Sequence, residues 1–282
     1  MPKDNRQSIR QRISRALSLR LPQPAARSIA RLGKTTPLQM LHGLERILPD
    51  DIYIASYPRS GNTWTRFIIA TLIFGTDTTP DSDTVSQIAP DIYRNIDLIN
   101  RLDSGRIIKI HEPVLHDCPR IIYVHRDYRE SLVSYWHFSK RHDNYSGTFS
   151  QFIRSRTPRA HGSWKQHMRA MNRRATLDPS TIHIVHYADL RLNFVETVSK
   201  LVEWSGIGKG VDLHEVEKRT SMESMASSDK NSATPFRLAS GESFFVDRGK
   251  GSDWRQYWSD KDLQWLARDQ ELVTIMNQLG YV

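Results

Sequence analysis

One stretch, residues 51–74, constrains the fold more than any other part of the chain. The apolar run DIYIA leads into the polar loop YPRSGNTW, and the mostly apolar run TRFIIATLIF follows it without glycine or proline. A strand, a tight loop with one glycine and a helix form the layout of a phosphate-binding loop. The loop lacks the Gly-Lys-Ser/Thr ending of nucleotide triphosphatases, so it predicts an anion site without naming the anion.

Short runs of apolar, β-favouring residues recur along the chain and alternate with helical patterns. We predict strands at 51–57, 106–111, Arg120–His125 and 181–187, and helices at 62–74, 127–141, 148–155, 161–175, 189–204 and 260–279. The alternation predicts an α/β fold, a single three-layer domain with a mostly parallel central sheet. Ligands bind beyond the carboxyl ends of the strands in such sheets, where we expect polar residues to gather.

The composition is that of an ordinary globular domain, with 38% hydrophobic and 25% charged residues. No apolar stretch approaches the roughly 18 residues that a membrane span needs. Cys118 is the only cysteine. A single cysteine excludes an intramolecular disulfide and a cysteine-based zinc site, and it favours a reducing, cytoplasmic location.

Almost all of the net charge of +9 lies in residues 1–36, where Asp4 is the only acidic residue. We therefore divide the chain into a basic arm, residues 1–45, and a domain, residues 46–282. Apolar residues at helical spacing make the arm amphipathic: Ile9, Ile13, Ala16 and Leu17. Three interpretations stay open, namely a solvated or domain-packing helix, a helix on an anionic membrane surface, and a cleaved transit peptide.

The rest of the chain is close to neutral, which is not the charge pattern of a nucleic-acid surface. We therefore expect no nucleic-acid partner. A peripheral contact with a membrane through the arm is an alternative to a purely cytoplasmic location. The sequence leaves the oligomeric state open.

Two more segments carry residues suited to an anion. Arg126 follows a predicted strand and Ser134 comes eight residues later on the next helix, a pair that suits a phosphate monoester. In FFVDRGKGSDW, residues 244–254, glycines alternate with Arg248 and Lys250, which predicts a flexible basic flap. Taken singly, each segment is equally compatible with an ordinary strand end or a surface loop.

Taken together and in order, these segments resemble the motifs of the cytosolic-type sulfotransferase family. Residues 57–64 are similar to the family's Tyr-Pro-Lys-Ser-Gly-Thr-Thr-Trp motif, and Arg126, Ser134 and SYWHF fit its second motif. DRGKGSDW resembles its Arg-Lys-Gly-x-x-Gly-Asp-Trp motif. KIHEP, residues 109–113, is similar to its Lys-Thr-His-x-Pro strand end, and TSMESM, residues 220–225, to its Thr-Ser-Phe-x-x-Met. The resemblance spans residues 51–258.

The resemblance implies a donor, 3′-phosphoadenosine 5′-phosphosulfate (PAPS), a product, adenosine 3′,5′-bisphosphate (PAP), and no metal. The loop would hold the 5′-phosphosulfate, Arg126 and Ser134 the 3′-phosphate, and the third motif would close over the donor. Trp64 and Tyr187 would line the adenine, with Thr220 and Met225 close by. The full set of implied donor-binding residues is Arg59, Ser60, Gly61, Asn62, Thr63, Trp64, Arg126, Ser134, Tyr187, Thr220, Met225, Arg248, Gly249 and Lys250.

Sulfuryl transfer needs a base for the acceptor hydroxyl and positive charge for the moving group. We predict His111 as the base, because imidazole has a pKa near 6.5. Lys109 is expected on the same face of its strand, where it can meet the sulfuryl or leaving oxygens, and Arg59 at the bridging oxygen. Glu112 is a rival base, but strand alternation is expected to point it the other way.

Two residues depart from the family pattern. Arg59 stands where the family has lysine, so the charge is kept without the compact ammonium group. Asp247 stands where the third motif has its first arginine, and an acid there would repel a 3′-phosphate. A non-catalytic sulfotransferase-like protein, or a basic membrane-surface binding protein, is therefore the alternative to an enzyme.

The loops expected to shape the acceptor pocket, residues 76–104, 138–160 and 228–247, are polar and rich in arginine. A pocket for a greasy acceptor would show more aromatic and aliphatic residues. We therefore expect a polar, hydroxylated acceptor, with a glycan or glycolipid favoured and a small-molecule alcohol as the other option.

Overall fold

Four parallel strands form the centre of the computed structural model, which describes residues 36–113, 115–229 and 253–281. They are β1 (Ile52–Ser56), β2 (Ile107–Ile110), β3 (Arg120–His125) and β4 (Ile182–His186). Their order in the sheet is β2-β1-β3-β4, and each pairing is parallel. The predicted α/β fold with a parallel central sheet is confirmed, and each predicted strand lies within one residue of its position in the structure.

Helices connect the strands and cover both faces of the sheet. In the described part of the chain they are α1 (Pro37–His42), α2 (Asn62–Phe74), α3 (Ser82–Ile88), α4 (Ile96–Asn100), α5 (Tyr128–His142), α6 (Phe149–Arg154), α7 (Trp164–Leu177), α8 (Tyr187–Leu192), α9 (Phe194–Ser205), α10 (Leu213–Arg219), α11 (Met222–Asp229), α12 (Asp260–Ala267) and α13 (Gln270–Gln278).

Two predicted helices are each two helices in the structure. The pattern at 189–204 breaks at Asn193, whose non-helical φ of −136° and ψ of 50° end α8 before α9 begins. The pattern at 260–279 breaks before Gln270, because the side chain of Asp269 accepts a hydrogen bond from Leu272 N and caps a new helix. Ser259 caps α12 as predicted. Both breaks leave the apolar periodicity intact, so the sequence pattern did not show them.

The strands bury alternate residues against two separate layers of helices. On one face, Ile54, Ile122 and Val124 pack with residues of α2 and α9 such as Phe67 and Val198. On the other face, Tyr53, Ile108, Ile121 and Tyr123 pack with residues of α5 and α7 such as Leu132 and Met168. The two cores make the domain three-layered.

Two predicted features lie outside the described residues. They are the basic arm up to residue 35, and the flap with Asp247, Arg248, Gly249 and Lys250. Among the residues that are described, no helix has both the length and the apolar character to cross a membrane.

Candidate functional site

The carboxyl ends of the four parallel strands gather the site at one edge of the sheet. The loop of residues 57–61 follows β1, His111 follows β2, Arg126 follows β3 and Tyr187 follows β4. Residues far apart in the chain are brought together here because parallel strands all point the same way.

The loop after β1 ends at Gly61, which caps α2 with a φ of 109°. A Cβ atom at this position would lie 2.6 Å from Cδ2 of Tyr187, so only glycine lets the tyrosine ring pack on the loop. No described side chain caps α2. The first N–H groups of the helix are therefore available to an anion, which the helix dipole also favours.

The side chains of Ser60 and Asn62 hold the end of the loop in place through hydrogen bonds. The hydroxyl of Ser60 is buried 3.4 Å from Ser131 Oγ. The amide of Asn62 donates to Ile54 O at 3.0 Å and to Ser56 Oγ at 3.2 Å. Ser60 and Asn62 can therefore offer an anion only their backbone N–H groups, whereas the side chain of Thr63 is partly exposed.

Arg59, Arg126 and Ser134 meet beside the loop. Arg59 has a φ of 68°, and its Nε donates to Ser134 Oγ at 3.4 Å. Arg126 Nη1 donates to Arg59 O at 3.3 Å. The spacing of Arg126 and Ser134 indicated that they would share one pocket, and the structure brings them together around Arg59.

Arg126 has a carboxylate partner that the sequence analysis missed. Its Nε lies 2.9 Å from Glu130 Oε2. Its guanidinium also stacks over the ring of Tyr187, 4.3 Å from the centroid. The spacing of four residues between Arg126 and Glu130 was a signal for this ion pair, because residues so spaced are neighbours at the start of a helix.

The rings of Trp64 and Tyr187 pack edge to face, with centroids 5.8 Å apart. Trp64 Nε1 donates to Thr220 O at 2.9 Å, which ties α2 to the end of α10. The side chains of Thr220 and Met225 are fully buried, and the hydroxyl of Thr220 donates to Val216 O. The rings of Trp64 and Tyr187 therefore pack against each other at the strand ends, while Thr220 and Met225 are buried.

His111 lies across β1 from these rings. Its Nδ1 is 2.9 Å from Ser56 O. A carbonyl oxygen only accepts, so Nδ1 donates its proton and Nε2 is left as the acceptor of the neutral ring. Burial, together with the positive charge of Lys109, lowers the pKa of His111 well below its usual value. The ring is therefore neutral and able to take a proton at neutral pH.

Lys109 is held by an acid and a ring. Its Nζ lies 2.8 Å from Asp91 Oδ2 and 4.7 Å from the ring centroid of Tyr93, and His111 stacks on the same ring. Burial lowers the pKa of Lys109 to about 8, against the opposing effect of Asp91. Lys109 and His111 thus both contact the ring of Tyr93, and Lys109 is paired with Asp91.

The prediction that Glu112 points away from His111 is wrong. The strand ends at Ile110, so alternation does not extend to Glu112. Glu112 Oε2 accepts from the hydroxyl of Tyr93 at 2.6 Å, and this same hydroxyl accepts from His111 N at 2.8 Å.

The other carboxylate oxygen of Glu112, Oε1, lies 3.4 Å from His161 Nδ1 and 3.2 Å from His42 Nε2. Burial alone would raise the pKa of Glu112, but the hydrogen bonds from His161 and Tyr93 and the charge of His42 lower it to about 2. Glu112 is therefore ionised. His42, Tyr93 and His161 come from separate segments, so no sequence spacing indicated that they meet.

The described part of the chain contains no group of three or more histidine, cysteine or acidic side chains placed to hold a metal ion. The site combines two arginines, one lysine and several imidazoles with the N–H groups at the start of α2. Its carboxylates are each paired with a cation or a hydrogen-bond donor.

Comparisons with known proteins agree with this geometry. The family model of the sulfotransferase domain matches residues 49–269. Cytosolic sulfotransferase 1 of Danio rerio is 25% identical over 240 residues, which cover 75% of this chain and 78% of the relative. Sulfotransferase 1E1 of Bos taurus is 24% identical over 250 residues, which cover 79% of this chain and 83% of the relative.

Solved structures show the same fold. Mouse sulfotransferase SULT7A1, crystallised with PAP, has a TM-score of 0.64 and 20% identity, over 85% of this chain and 89% of that chain. Retinol dehydratase, crystallised with androsterone and inactive cofactor PAP, has a TM-score of 0.61 and 17% identity, over 83% and 82%.

The family match covers most of the chain, including the loop after β1, His111, Arg126 and Tyr187. It confirms the family predicted from the ordered motifs. The chain belongs to the sulfotransferase family and is a PAPS-dependent sulfotransferase.

Proposed function

We propose that the protein transfers a sulfuryl group from PAPS to a hydroxyl of a polar acceptor, with His111 as the general base. The observation that carries the proposal is the geometry of His111. Its Nδ1 is tied to Ser56 O, at the end of the strand that leads into the anion loop. Its Nε2 is thereby kept as a proton acceptor beside the loop.

For the donor, we assign the N–H groups of residues 61–64 and the Arg59 guanidinium to the 5′-phosphosulfate. Arg126 and Ser134 are assigned to the 3′-phosphate, because both meet Arg59 at the edge of the loop. Trp64 and Tyr187 present their rings to the adenine. The roles of Arg248, Gly249 and Lys250 stay predictions.

When bound, the donor supplies a sulfuryl group whose bond to a phosphate oxygen breaks as the acceptor oxygen attacks the sulfur. His111 Nε2 accepts the proton of the attacking hydroxyl. Arg59 and Lys109 place positive charge beside the moving group and the leaving oxygen. Asp91 holds Lys109 in place until the donor competes for the ammonium group.

The surroundings of His111 favour a polar acceptor. They carry hydrogen-bonding groups, namely His42, Tyr93, Glu112 and His161. A glycan or glycolipid fits this chemistry, as does a small polyhydroxylated alcohol. The boundary between the arm and the domain near residue 45 remains a proposal. So does a contact of the arm with a membrane.

The first test is a thermal-shift titration with PAP, with AMP and ATP as control ligands. A ligand that binds only the native state at a hundredfold excess over its Kd stabilises it by about 2.7 kcal/mol. We expect a shift for PAP that exceeds those for AMP and ATP, and transfer of labelled sulfate to a hydroxylated acceptor. Absence of a PAP shift would contradict the donor assignment. Donor binding without transfer to any acceptor would favour a non-catalytic protein.

A further inference from the structure

Four side chains form a connected group next to His111, and we call them the acceptor wall: His42, Tyr93, Glu112 and His161. Ring centroids lie 5.0 Å apart for His42 and Tyr93, 5.1 Å for Tyr93 and His161, and 5.7 Å for His111 and His161. The wall is thus a continuous group of rings around one carboxylate, in contact with the proposed base.

His161 is more accessible to a solute than Glu112 or His42. Its side chain is 33% exposed, compared with 12% for Glu112 and 14% for His42. Its Nδ1 lies 3.4 Å from Glu112 Oε1, where it can donate a hydrogen bond, and its Nε2 is left for another partner.

The position of His161 is fixed by its neighbours in the fold. Its carbonyl oxygen accepts from the buried His167 Nε2 at 2.9 Å. The next residue, Gly162, has a φ of 83°, and a Cβ there would lie 3.0 Å from Pro113 Cγ. The turn that carries His161 is therefore packed directly against the segment that carries His111 and Glu112.

His111 and His161 have the same arrangement. Each directs Nδ1 at an oxygen atom, Ser56 O for His111 and Glu112 Oε1 for His161. Each keeps Nε2 for another partner, and the two rings are neighbours. Two such nitrogens on neighbouring rings suit two hydroxyl groups on adjacent carbons of one molecule.

We propose that His161, oriented by Glu112, binds a second hydroxyl of the acceptor, next to the hydroxyl that His111 deprotonates. The acceptor is therefore a vicinal diol, as found in sugars and catechols. This inference rests on the proposed sulfuryl transfer at His111. His161 is a binding residue here, and Glu112 is a positioning residue that acts through it.

An amine is a poorer match to the acceptor wall than a hydroxyl. The carboxylate of Glu112 already accepts from the Tyr93 hydroxyl on one oxygen and faces two imidazoles on the other. An ammonium group that pairs with this carboxylate would have to displace these partners, and leaving buried groups unpaired is costly. A hydroxyl needs only the Nε2 atom of His161.

The test compares acceptors that differ by one neighbouring hydroxyl: catechol with phenol, and trans-cyclohexane-1,2-diol with cyclohexanol. Transfer of labelled sulfate gives kcat/KM for each, and PAP thermal shifts verify the donor site of every variant. We expect the wild-type protein to prefer the diol of each pair by about tenfold, the effect of one hydrogen bond. His161→Phe keeps a ring but no nitrogen. The ratio of kcat/KM for the diol to that for the mono-alcohol should therefore fall towards one.

Glu112→Gln weakens the orientation of His161 and should give an intermediate preference. The matched control is His183→Phe, because His183 on β4 stacks on Trp204 outside the site; it should keep the wild-type ratio. A diol preference that survives His161→Phe would overturn the inference. So would equal rates for diol and mono-alcohol in the wild type, or no transfer to either while PAP binds. A wild-type protein that does not bind PAP would contradict the proposed function itself.

Discussion

The donor side of the site, formed by residues 57–64, Arg126, Ser134 and Tyr187, is built differently from the acceptor wall around His111. On the donor side, groups that directly follow a strand contact one another, such as Arg126 stacked on Tyr187. On the acceptor wall, the contacts join side chains from α1, from the turn at Tyr93 and from the turn at His161.

The difference shows which part of the site depends on backbone geometry and which on ionisable side chains. The donor side needs a glycine, a helix start and two rings, so its shape is set by the strand ends. The acceptor wall is a network of hydrogen bonds around one ionised carboxylate, so its shape is set by the pairing of side chains. Changes on one side should therefore leave the other side measurably intact.

The largest difference between the effect on turnover and the effect on PAP binding is expected from His111→Ala. Loss of a general base lowers a rate by about 10²–10⁴-fold. Because His111 contacts Ser56 and Tyr93 rather than the anion loop, the PAP thermal shift should stay close to that of the wild type. Turnover by labelled sulfate transfer and PAP titration measure the two effects. A variant that retains near-normal turnover would contradict the role of His111.

Gly61→Ala should damage the donor side alone. The added methyl group meets the Tyr187 ring at 2.6 Å, and overpacking of this kind costs about 1–3 kcal/mol. PAP affinity should fall at least tenfold, because the ring moves away from the loop.

Gly75→Ala is the matched control for Gly61→Ala. Gly75 lies at the other end of α2, also with a positive φ of 101°, but a Cβ atom there would meet no described residue within 4 Å beyond its chain neighbours. It therefore measures backbone strain without the clash. Equal losses of PAP affinity in both variants would show that contact with Tyr187 is not what Gly61 provides.

Arg126→Ala should weaken PAP binding by about 1.5–3 kcal/mol, the range for a hydrogen bond to a charged group. AMP lacks the 3′-phosphate and should lose little affinity. Calorimetric titration with both ligands tests the assignment. If AMP weakens as much as PAP, Arg126 acts by supporting Tyr187 and not by binding the 3′-phosphate.

Glu130→Gln should have a smaller and opposite effect. Glu130 competes with the 3′-phosphate for Arg126 through an ion pair that is partly exposed. Such pairs are worth at most about 1 kcal/mol, so PAP should bind about two- to fivefold more tightly. Glu196→Gln, which removes another pair at the same spacing on α9, is the control and should leave PAP affinity unchanged. Weaker PAP binding in Glu130→Gln would mean that Glu130 orients Arg126 instead.

The smallest change in turnover is expected when the pH falls from 7 to 6. An ordinary imidazole with a pKa near 6.5 is about three-quarters protonated at pH 6. Burial lowers the pKa of His111 well below that value, so its ring stays neutral as the pH falls from 7 to 6. Turnover at saturating substrates should therefore change by less than about twofold over this range. A decline with a midpoint near pH 6.5 would show that the base is an unshifted imidazole.

The sequence predicted the sheet well, because each strand is one contiguous apolar segment. Apolar runs bounded by polar residues located all four strands. Arg126 and Ser134, predicted to face one pocket, both contact Arg59, and their shared role stays a prediction. The partners of Glu112 could not be predicted, because His42 and His161 approach it only through tertiary packing. Strand alternation failed at Glu112 because the strand ends two residues earlier.

The roles of Thr220 and Met225 show a second limit. A motif places a residue near a ligand, but it does not reveal whether the side chain faces the ligand or the core. Both side chains are fully buried behind Trp64, which is a consequence of packing between α2, α10 and α11. The direction of a side chain becomes known only when its neighbours are known.

The position of β1 in the sheet has a consequence for how the protein folds. β1 lies between β2 and β3, and both of these strands come later in the chain, so Ile52 must find Ile107 on one side and Arg120 on the other. Pairings between such distant residues make folding slow compared with that of helical proteins. The anion loop is synthesised before any strand that flanks β1. After dilution from denaturant, PAP binding should therefore recover only once β2 and β3 have paired with β1.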